Sequence, residues 1–495
     1  MNLSIIFSYR ITVGFISNRR NVYNREVILK VIKKFIPLLV FFLLSSCSSL
    51  VDKNKPNPLY DDICNKLKFL NFCDEIPYVE EIEIYDIEKL DLKNNECNLI
   101  YLEEKIEAKT QQNNELTYEE KISFYSSFET SCLKEIIEYS DKTYLKKYSF
   151  CCSFFNTKNS GQKSFSYFAT HKENVVLSLG SGEISYFSYQ DLLLDLPINV
   201  SHIKSNFREV VIDEEIYNPG WFSVKDIFIE DDLLLISYTK EVDENCYNTS
   251  ILRANFNYDF LEFTEFFTDD ECIYTSNKPS FSGHSSGGKI SSYGNDNYIL
   301  TTGEFLSRQR AQDKSSILGK TLVIDKNGKK VKNASIGHRN PQGLVYSGIE
   351  NKFLLTEHGP LGGDEINVID ASKEDINYGW PISSYGEHYG NIEIENAHLY
   401  KSHSVYGFYE PIYFFNPSIG ISAIDITKDS NVYALASLNN RSLFKIAFNS
   451  DLTKPEKLKK YPVRERIRDI IYIKNINLHI LSFEDTPYIG VFINN

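Results

Sequence analysis

Residues 289–302 read KISSYGNDNYILTT, and this stretch decides the fold class. Apolar and polar residues alternate on both sides of a turn around Asn295-Asp296, which is typical of a hairpin of two half-buried antiparallel strands. The same pattern of strand, polar turn and second strand recurs five more times along the chain. The other five hairpins are predicted at 164–178, 224–238, 343–357, 421–437 and 468–483.

The spacing of these hairpins indicates how they are arranged. Their turns lie 46 to 79 residues apart, close to the length of one four-stranded propeller blade with its loops. Six such units predict an all-β protein in which residues 156–495 form a six-bladed β-propeller. The uneven spacing leaves a β-sandwich with long loops as the competing interpretation.

The overall charge argues against one class of function. Among 495 residues there are 53 Lys and Arg against 67 Asp and Glu, a formal net charge of −14. No nucleic-acid partner is therefore expected, because such binding needs a basic surface. With 42% hydrophobic residues the chain has enough apolar surface to fold.

The N-terminal residues predict export. Three lysines precede a ten-residue apolar segment at 35–44, which is too short to span a bilayer. A basic segment, a short apolar core and small residues make a secretory signal. Its ending, LSSC at 44–47, resembles the bacterial lipobox, so residues 1–46 are predicted to be a signal peptide and Cys47 the lipidated N-terminus. The protein would then be periplasmic and attached to a bacterial membrane by lipid alone; an uncleaved anchor or a chance apolar run are the alternatives.

Residues 47–155 carry no catalytic pattern and are predicted to be an N-terminal extension or a small cysteine-containing module. Two segments there, 102–109 and 118–139, have helix-like composition. Beyond Cys47 eight cysteines remain, an even number suited to disulfides in an oxidising compartment. Cys246 and Cys272 flank a predicted hairpin and either form a disulfide or stay as two buried thiols.

Polar clusters precede the first strand of three hairpins: GHSSGG at 283–288, GHRNPQG at 337–343 and RERIR at 464–468. Equivalent positions in successive blades converge at the axis of a propeller, so these clusters are predicted to line one pocket. Arginines are planar charged forks that match carboxylates, so the arginines of the second and third clusters indicate an anionic ligand with several carboxylates. His284 is a candidate general base near neutral pH. The alternatives are a structural histidine and a solvated strand edge.

A further cluster, TEHGPLGGDE at 356–365, is followed by NYGWP at 377–381. Its glycines free backbone carbonyls to point inward, and its acidic residues provide hard oxygen ligands. Calcium prefers this ligand set. An acid-rich turn is the alternative interpretation.

Six motifs occur in one order: HSSGG at 284–288, AQDKSSILGK at 311–320, GHRNPQG at 337–343, EHGPLGGDE at 357–365, NYGWP at 377–381 and RIRD at 466–469. Together they resemble the soluble glucose/sorbosone (aldose sugar) dehydrogenase family, whose members are six-bladed propellers that use pyrroloquinoline quinone (PQQ) and calcium. The resemblance covers about residues 160–495. It implies that an aldose substrate is oxidised at its C1 hydroxyl to a lactone, with hydride transfer to the quinone.

The resemblance also implies roles for individual residues. His284 would take the proton of the C1 hydroxyl, and Arg339 would polarise the accepting carbonyl of the quinone. The residues expected to face the cofactor are Arg339, Asn340, Gln342, Tyr389, Arg466 and Arg468, the last two through its carboxylates. The main-chain carbonyls of Gly359 and Pro360 would hold the catalytic Ca2+, whereas Glu365 and the Tyr378 carbonyl match a second, structural calcium position.

Two positions depart from the family pattern. Where relatives carry Gly-Ala-Leu-Lys with the lysine touching the cofactor, this chain has Asn439 at the end of ASLN (436–439), and a family glutamine aligns with Trp221. A neutral asparagine cannot supply the charge of that lysine, so weaker binding of PQQ is expected. The alternatives to an oxidoreductase are a sugar-binding propeller without turnover and a lactonase-like propeller hydrolase. The electron acceptor has no signature in the sequence.

Overall fold

The structure is a computed structural model that describes residues 79–89, 130–150, 165–193, 198–211, 223–275, 283–389, 394–486 and 488–494. The predicted signal peptide, the lipidation site at Cys47 and Trp221 lie outside these residues. One compact unit spans Pro77–Asn495. No helix in the described ranges is both long enough and apolar enough to cross a membrane.

The described ranges consist almost entirely of β-strands. In chain order, the first twelve are β1 (Val79–Glu81), β2 (Ile84–Lys89), β3 (Thr130–Tyr139), β4 (Tyr144–Phe150), β5 (Ser166–His171), β6 (Asn174–Leu179), β7 (Ile184–Ser188), β8 (Ile198–Asn199), β9 (Ser201–Ser205), β10 (Val224–Glu230), β11 (Leu233–Asp243) and β12 (Cys246–Asn255). The next ten are β13 (Phe260–Leu261), β14 (Thr264–Phe267), β15 (Ile273–Tyr274), β16 (Gly287–Tyr293), β17 (Asn297–Thr302), β18 (Lys320–Asp325), β19 (Lys330–Ile336), β20 (Pro341–Tyr346), β21 (Lys352–Glu357) and β22 (Asp364–Asp370). The last nine are β23 (Ile376–Asn377), β24 (Tyr413–Phe415), β25 (Ile421–Ile426), β26 (Val432–Ser437), β27 (Ser442–Phe448), β28 (Pro455–Pro462), β29 (Ile467–Ile473), β30 (Leu478–Phe483) and β31 (Tyr488–Ile493). One short helix, α1 (Phe207–Val210), and 3-10 turns at Asp191–Leu193, Arg308–Gln312, His403–Tyr406 and Lys474–Ile476 complete the list.

These strands form six sheets, which are the six blades of a β-propeller, so the predicted fold class is confirmed. In blade order the sheets are β5-β6-β7-β9-β13, β10-β11-β12-β14 with β15, β16-β17-β18-β19-β23, β20-β21-β22-β24, β25-β26-β27-β28-β1 and β29-β30-β31-β4-β3-β2 with β8. The inner strands β5, β10, β16, β20, β25 and β29 contact one another in a closed ring. Each predicted hairpin supplies the inner and second strands of one blade.

The second strand of each blade is buried on both faces, because neighbouring blades cover it from each side. Leu478–Phe483, for example, is buried at every position. The hydroxyl group of Ser482 in this strand joins blades 6 and 1, because Ser482 Oγ donates a hydrogen bond to Ser166 O at 2.9 Å. Thr301 Oγ1 joins blades 3 and 4 in the same way, donating to Pro341 O at 3.0 Å. Burial on both faces accounts for the apolar runs of these strands.

The sixth blade corrects the predicted domain boundary at residue 155. Strand β4 pairs antiparallel with β31, with Tyr148 opposite Ile489, and β3 and β2 extend the same sheet. Strands from both ends of the propeller region therefore close the ring. Thr130–Tyr139, part of a segment with helix-like composition, is strand β3 because it has a pairing partner on each edge. Tertiary pairing overrides a weak local propensity here.

Of the two alternatives for Cys246 and Cys272, the structure shows the disulfide, with a Cα–Cα distance of 5.3 Å. It lies at the end of blade 2 where β12 pairs with β15. The loop it closes contains the predicted hairpin, whose strands are β12 and β14.

Candidate active site

The three polar clusters line one cavity of about 750 Å³ at one end of the ring of inner strands. His284, Arg339 and Arg466 each contribute to its wall, although they lie up to 182 residues apart in the chain. A cavity of this volume suits a small-molecule ligand. The structure therefore shows that the three polar clusters converge, as the repeat alone predicted.

The floor of the cavity is built by a repeated irregularity. In blades 2 to 6 the pairing of the inner strand with the second strand shifts by a β-bulge near its start. A bulge turns a side chain away from its regular direction. The cavity-lining residues at these bulges are Lys225, Gln342, Ser422 and Arg468, and in the third blade Gly288 stands at the same place.

His284 lies in a loop that is held by backbone hydrogen bonds. Phe305 N donates to Ser285 O at 3.0 Å, and Thr249 Oγ1 donates to Ser286 O at 2.8 Å. The side chain of Asn340 joins this loop to the next cluster, because its Oδ1 accepts a hydrogen bond from Gly287 N at 3.2 Å. The loop geometry is therefore set by contacts outside the imidazole.

The electrostatics of His284 favour its neutral form. Its side chain is half-buried in the cavity wall. Burial lowers the pKa of His284 below its ordinary value, and the positive charges of Arg339 and Lys225 lower this pKa further. A neutral imidazole at neutral pH is able to accept a proton.

Arg339 is held against the opposite loop. Its Nη1 donates to His358 O at 3.0 Å and to Gly359 O at 2.9 Å, and its guanidinium lies 5.5 Å from the ring centroid of Trp380. These contacts fix the orientation of a permanently charged group at the cavity wall. Sequence analysis placed Arg339 in the pocket but identified none of these partners.

Arg466 and Arg468 share one buried carboxylate, that of Glu484. Arg466 Nε lies 2.7 Å from Glu484 Oε2, and Arg468 Nη2 pairs with Oε1 of the same group. Burial alone would raise the pKa of Glu484, but the two guanidinium groups outweigh it and lower this pKa below the usual range. Arg468 Nη1 also donates to Gln342 Oε1 at 3.1 Å. The carboxylate of Glu484 thus positions the guanidinium groups of Arg466 and Arg468. The three groups together keep a net positive charge.

Glu484, Lys225 and Phe165 line the cavity but were missed by sequence analysis. Lys225 occupies the same place in its inner strand as Gln342 and Arg468, so an alignment of the predicted inner strands would have found it. Glu484 directly follows the second strand of its hairpin. The residue at the equivalent place in blade 4 is His358, which follows Glu357. Phe165 precedes an inner strand and carries no polar signal.

Gly359 and Pro360 lie in the cavity wall, and their two consecutive main-chain carbonyls are the candidate metal ligands. Only glycine fits at 359, because an added Cβ would lie 2.1 Å from Gly363 O. The loop is braced by Asp364, whose Oδ1 accepts a hydrogen bond from Gly359 N at 3.0 Å. Gly359 O already accepts the hydrogen bond from Arg339 but retains a second lone pair. This hard-oxygen pair fits a calcium ion that takes its remaining ligands from a bound molecule.

Glu365 and Tyr378 are buried and do not line the cavity. The imidazole of His403 lies between them: its Nδ1 donates to Tyr378 O at 2.8 Å, and its Nε2 lies 3.3 Å from Glu365 Oε1. Burial acts to lower the pKa of His403, but the carboxylate of Glu365 outweighs burial and raises it. A histidine therefore already engages both groups, and the residues present do not fit a second, structural calcium.

Tyr389 and Asn439 stand at the mouth of the cavity. Tyr389 is 61% exposed, and a ring packed against a bound cofactor would cover much of that surface. Asn439 is exposed and its backbone N donates to Ile419 O at 3.0 Å. The uncharged side chain at 439 thus faces the same cavity as the three arginines.

The chain matches one family model and is similar to known proteins over part of its length. The family model for Glucose / Sorbosone dehydrogenase matches residues 222–486, more than half of the chain. The chain is 24% identical over 278 residues to the aldose sugar dehydrogenase YliI of Escherichia coli, which covers 52% of this chain and 72% of that protein. It is 44% identical over 57 residues to quinoprotein glucose dehydrogenase B of Acinetobacter calcoaceticus, covering 11% of each chain.

Two solved structures share the fold. A glucose dehydrogenase has a TM-score of 0.56 at 18% identity and covers 68% of this chain and 97% of its own. The soluble aldose sugar dehydrogenase of Escherichia coli, in its apo form, has a TM-score of 0.53 at 19% identity and covers 67% and 95%. At these identities the likeness shows the fold alone.

Proposed function

The chain belongs to the glucose/sorbosone dehydrogenase family, and from that premise we propose that it oxidises the C1 hydroxyl of an aldose to a lactone with PQQ and calcium. The observation that carries this proposal is the meeting of His284, Arg339, Arg466 and Arg468 in one cavity. Three guanidinium groups, only two of which share a carboxylate, suit a ligand with several acidic groups. The relative from Acinetobacter is itself named a quinoprotein.

His284 is the group of this site that moves a proton. Its lowered pKa leaves the imidazole neutral at neutral pH, so it accepts the proton of the C1 hydroxyl as the C1 hydrogen leaves as hydride. The positive charge of Arg339, which helps to depress that pKa, also opposes protonation of His284 before a substrate enters. PQQ, when bound, supplies the two-electron acceptor for this hydride.

The remaining residues bind and orient. The side chains of Arg466 and Arg468 are aimed by Glu484, so they meet cofactor carboxylates without first losing conformational freedom. The carbonyls of Gly359 and Pro360 would hold the calcium ion, whose chemistry is Lewis-acid polarisation of the quinone. Tyr389 would cover the cofactor at the cavity mouth.

Reconstitution tests the proposal directly. Purified protein titrated with PQQ in the presence of calcium is expected to bind both, to take up one calcium per chain because His403 fills the second position, and to reduce an artificial dye when given aldoses. Protein without the quinone is the control. Sugar binding without dye reduction would favour the non-catalytic propeller, and hydrolysis of lactones in quinone-free protein would favour the hydrolase.

We further propose that the mature protein is a lipid-anchored periplasmic lipoprotein. The motif LSSC at 44–47 and the disulfide between Cys246 and Cys272, a bond typical of oxidising compartments, support this proposal. Cells fed a tagged fatty acid are expected to label the wild-type protein and not the Cys47→Ser variant, which should leave the membrane fraction. Equal labelling of both proteins would contradict lipidation at Cys47.

A further inference from the structure

Lys225 is a lysine on the floor of the cavity for which the proposed reaction has no role. It lies at the bulge of β10, lines the same cavity as His284 and Arg468, and is only 6% exposed. Its Nζ donates a hydrogen bond to Ser223 Oγ at 3.0 Å. Its place in β10 is equivalent to that of Arg468 in β29, so it brings an amine to the cavity from a different blade.

The surroundings of Lys225 are shaped around it. Two basic side chains lie over the ring of Phe165. Lys225 Nζ is 5.8 Å and Arg468 Cζ is 4.1 Å from the ring centroid. Gly288 of the next blade has a φ of +120°, and a Cβ there would lie 2.2 Å from Lys225 Cβ. The absence of a side chain at 288 therefore leaves the space that the stem of the lysine fills.

Burial and a neighbouring positive charge disfavour the ammonium form of Lys225. Burial lowers the pKa of Lys225 well below its ordinary value, and the guanidinium of Arg468 lowers it further. An anion that enters the cavity reverses both influences, because it replaces water with a negative charge. The amine is thus arranged to gain a proton when an anionic ligand binds.

We propose that Lys225 is a cofactor-contacting residue of this site, whose ammonium binds an anionic oxygen of PQQ and supplies the positive charge that Asn439 lacks. The inference rests on the proposed function, since it names a further residue for the same cofactor. The family lysine touches the cofactor from the position of Asn439 in blade 5, whereas Lys225 is in blade 2. The charge in the cavity would be kept but moved to another blade.

Titration of the protein with PQQ in calcium buffer, followed by quinone absorbance, tests this inference without any measurement of turnover. Lys225→Met is expected to weaken PQQ binding about tenfold to a hundredfold, the scale of a lost charge-assisted hydrogen bond. Lys225→Arg should restore most of the affinity. Lys326→Met, at an exposed turn, is the matched control and should bind as the wild type does. Melting curves check folding; Lys225→Met should melt no lower than the wild type because methionine has a similar shape.

The pH dependence of PQQ binding by the wild type gives an independent test. If binding protonates Lys225, the affinity falls as pH rises above the lowered pKa of the free protein, and Lys225→Met lacks this fall. The other charged or titratable groups of the described residues around this cavity are His284, Arg339, His358, Glu387, Tyr389, Arg466, Arg468, Glu484, Tyr167 and the neighbouring group of Asp226, Lys289 and Asp469. His284 titrates below its ordinary value, so its contribution lies on the acid side and is shared by the variant.

The outcomes separate the two proposals. Equal PQQ affinity and equal pH dependence in wild type and Lys225→Met would overturn the role of Lys225 and leave the proposed function standing. No binding of PQQ by the wild-type protein would overturn both.

Discussion

His284→Ala is expected to lower the turnover of the reconstituted protein by about two to four orders of magnitude, the scale of a lost general base. Binding of PQQ should be retained, because the backbone contacts of Ser285 and Ser286 that hold the loop around residue 284 remain in the variant. Turnover under saturating aldose and a PQQ titration of the same sample measure the two quantities separately. His202→Ala, on the outer strand β9 of blade 1, is the matched control.

The pH profile of the wild-type protein gives the same assignment a second test. His284 must be neutral to accept a proton, and its pKa is lowered from the ordinary value of 6.5. Activity should therefore be complete at pH 7 and fall only when pH drops through the lowered pKa. An acid limb centred above pH 6.5, or a variant that loses stability and PQQ binding while its remaining turnover is normal, would show that another group is the base.

Arg468→Met is expected to have the largest effect on the cofactor site. Arg468 is buried, pairs with Glu484, bonds to Gln342 and stacks on Phe165, so its loss leaves a buried carboxylate without half of its compensating charge. Breaking a buried ion pair typically costs about 3 to 5 kcal/mol of folding stability. PQQ affinity should fall about a hundredfold, since a charge-assisted contact is lost together with the orientation of Arg466. Denaturant unfolding and PQQ titration measure the two effects.

Two further variants separate stability from binding. The double variant Arg468→Met with Glu484→Gln removes both charges of the pair and should regain much of the stability but none of the affinity. Arg466→Met, at a position that remains 19% exposed, should cost less stability and weaken PQQ binding about tenfold. Wild-type affinity in the double variant would show that Arg468 is a structural residue only.

The hairpins were predictable because each is a local feature. The alternation of apolar and polar residues and the turn residues lie within about 15 successive positions. Whether a strand is buried on one face or on both follows from which of its side chains are apolar. Thr130–Tyr139 was misjudged because its composition is helix-like, whereas its strand form depends on pairing partners on both edges. Composition cannot report such partners.

The all-β class, the six repeated hairpins and the meeting of His284, Arg339 and Arg466 at one end of the ring could be predicted from the sequence. Four features became visible only in the folded chain: the strand that closes the ring, the hold of Glu484 on two arginines, the place of Lys225 beside them, and His403 at the position where a second calcium was expected. The physical reason is distance along the chain. Local periodicity follows from neighbouring residues, whereas a bulge register, a buried ion pair or an imidazole between Glu365 and Tyr378 depends on which distant segments pack together.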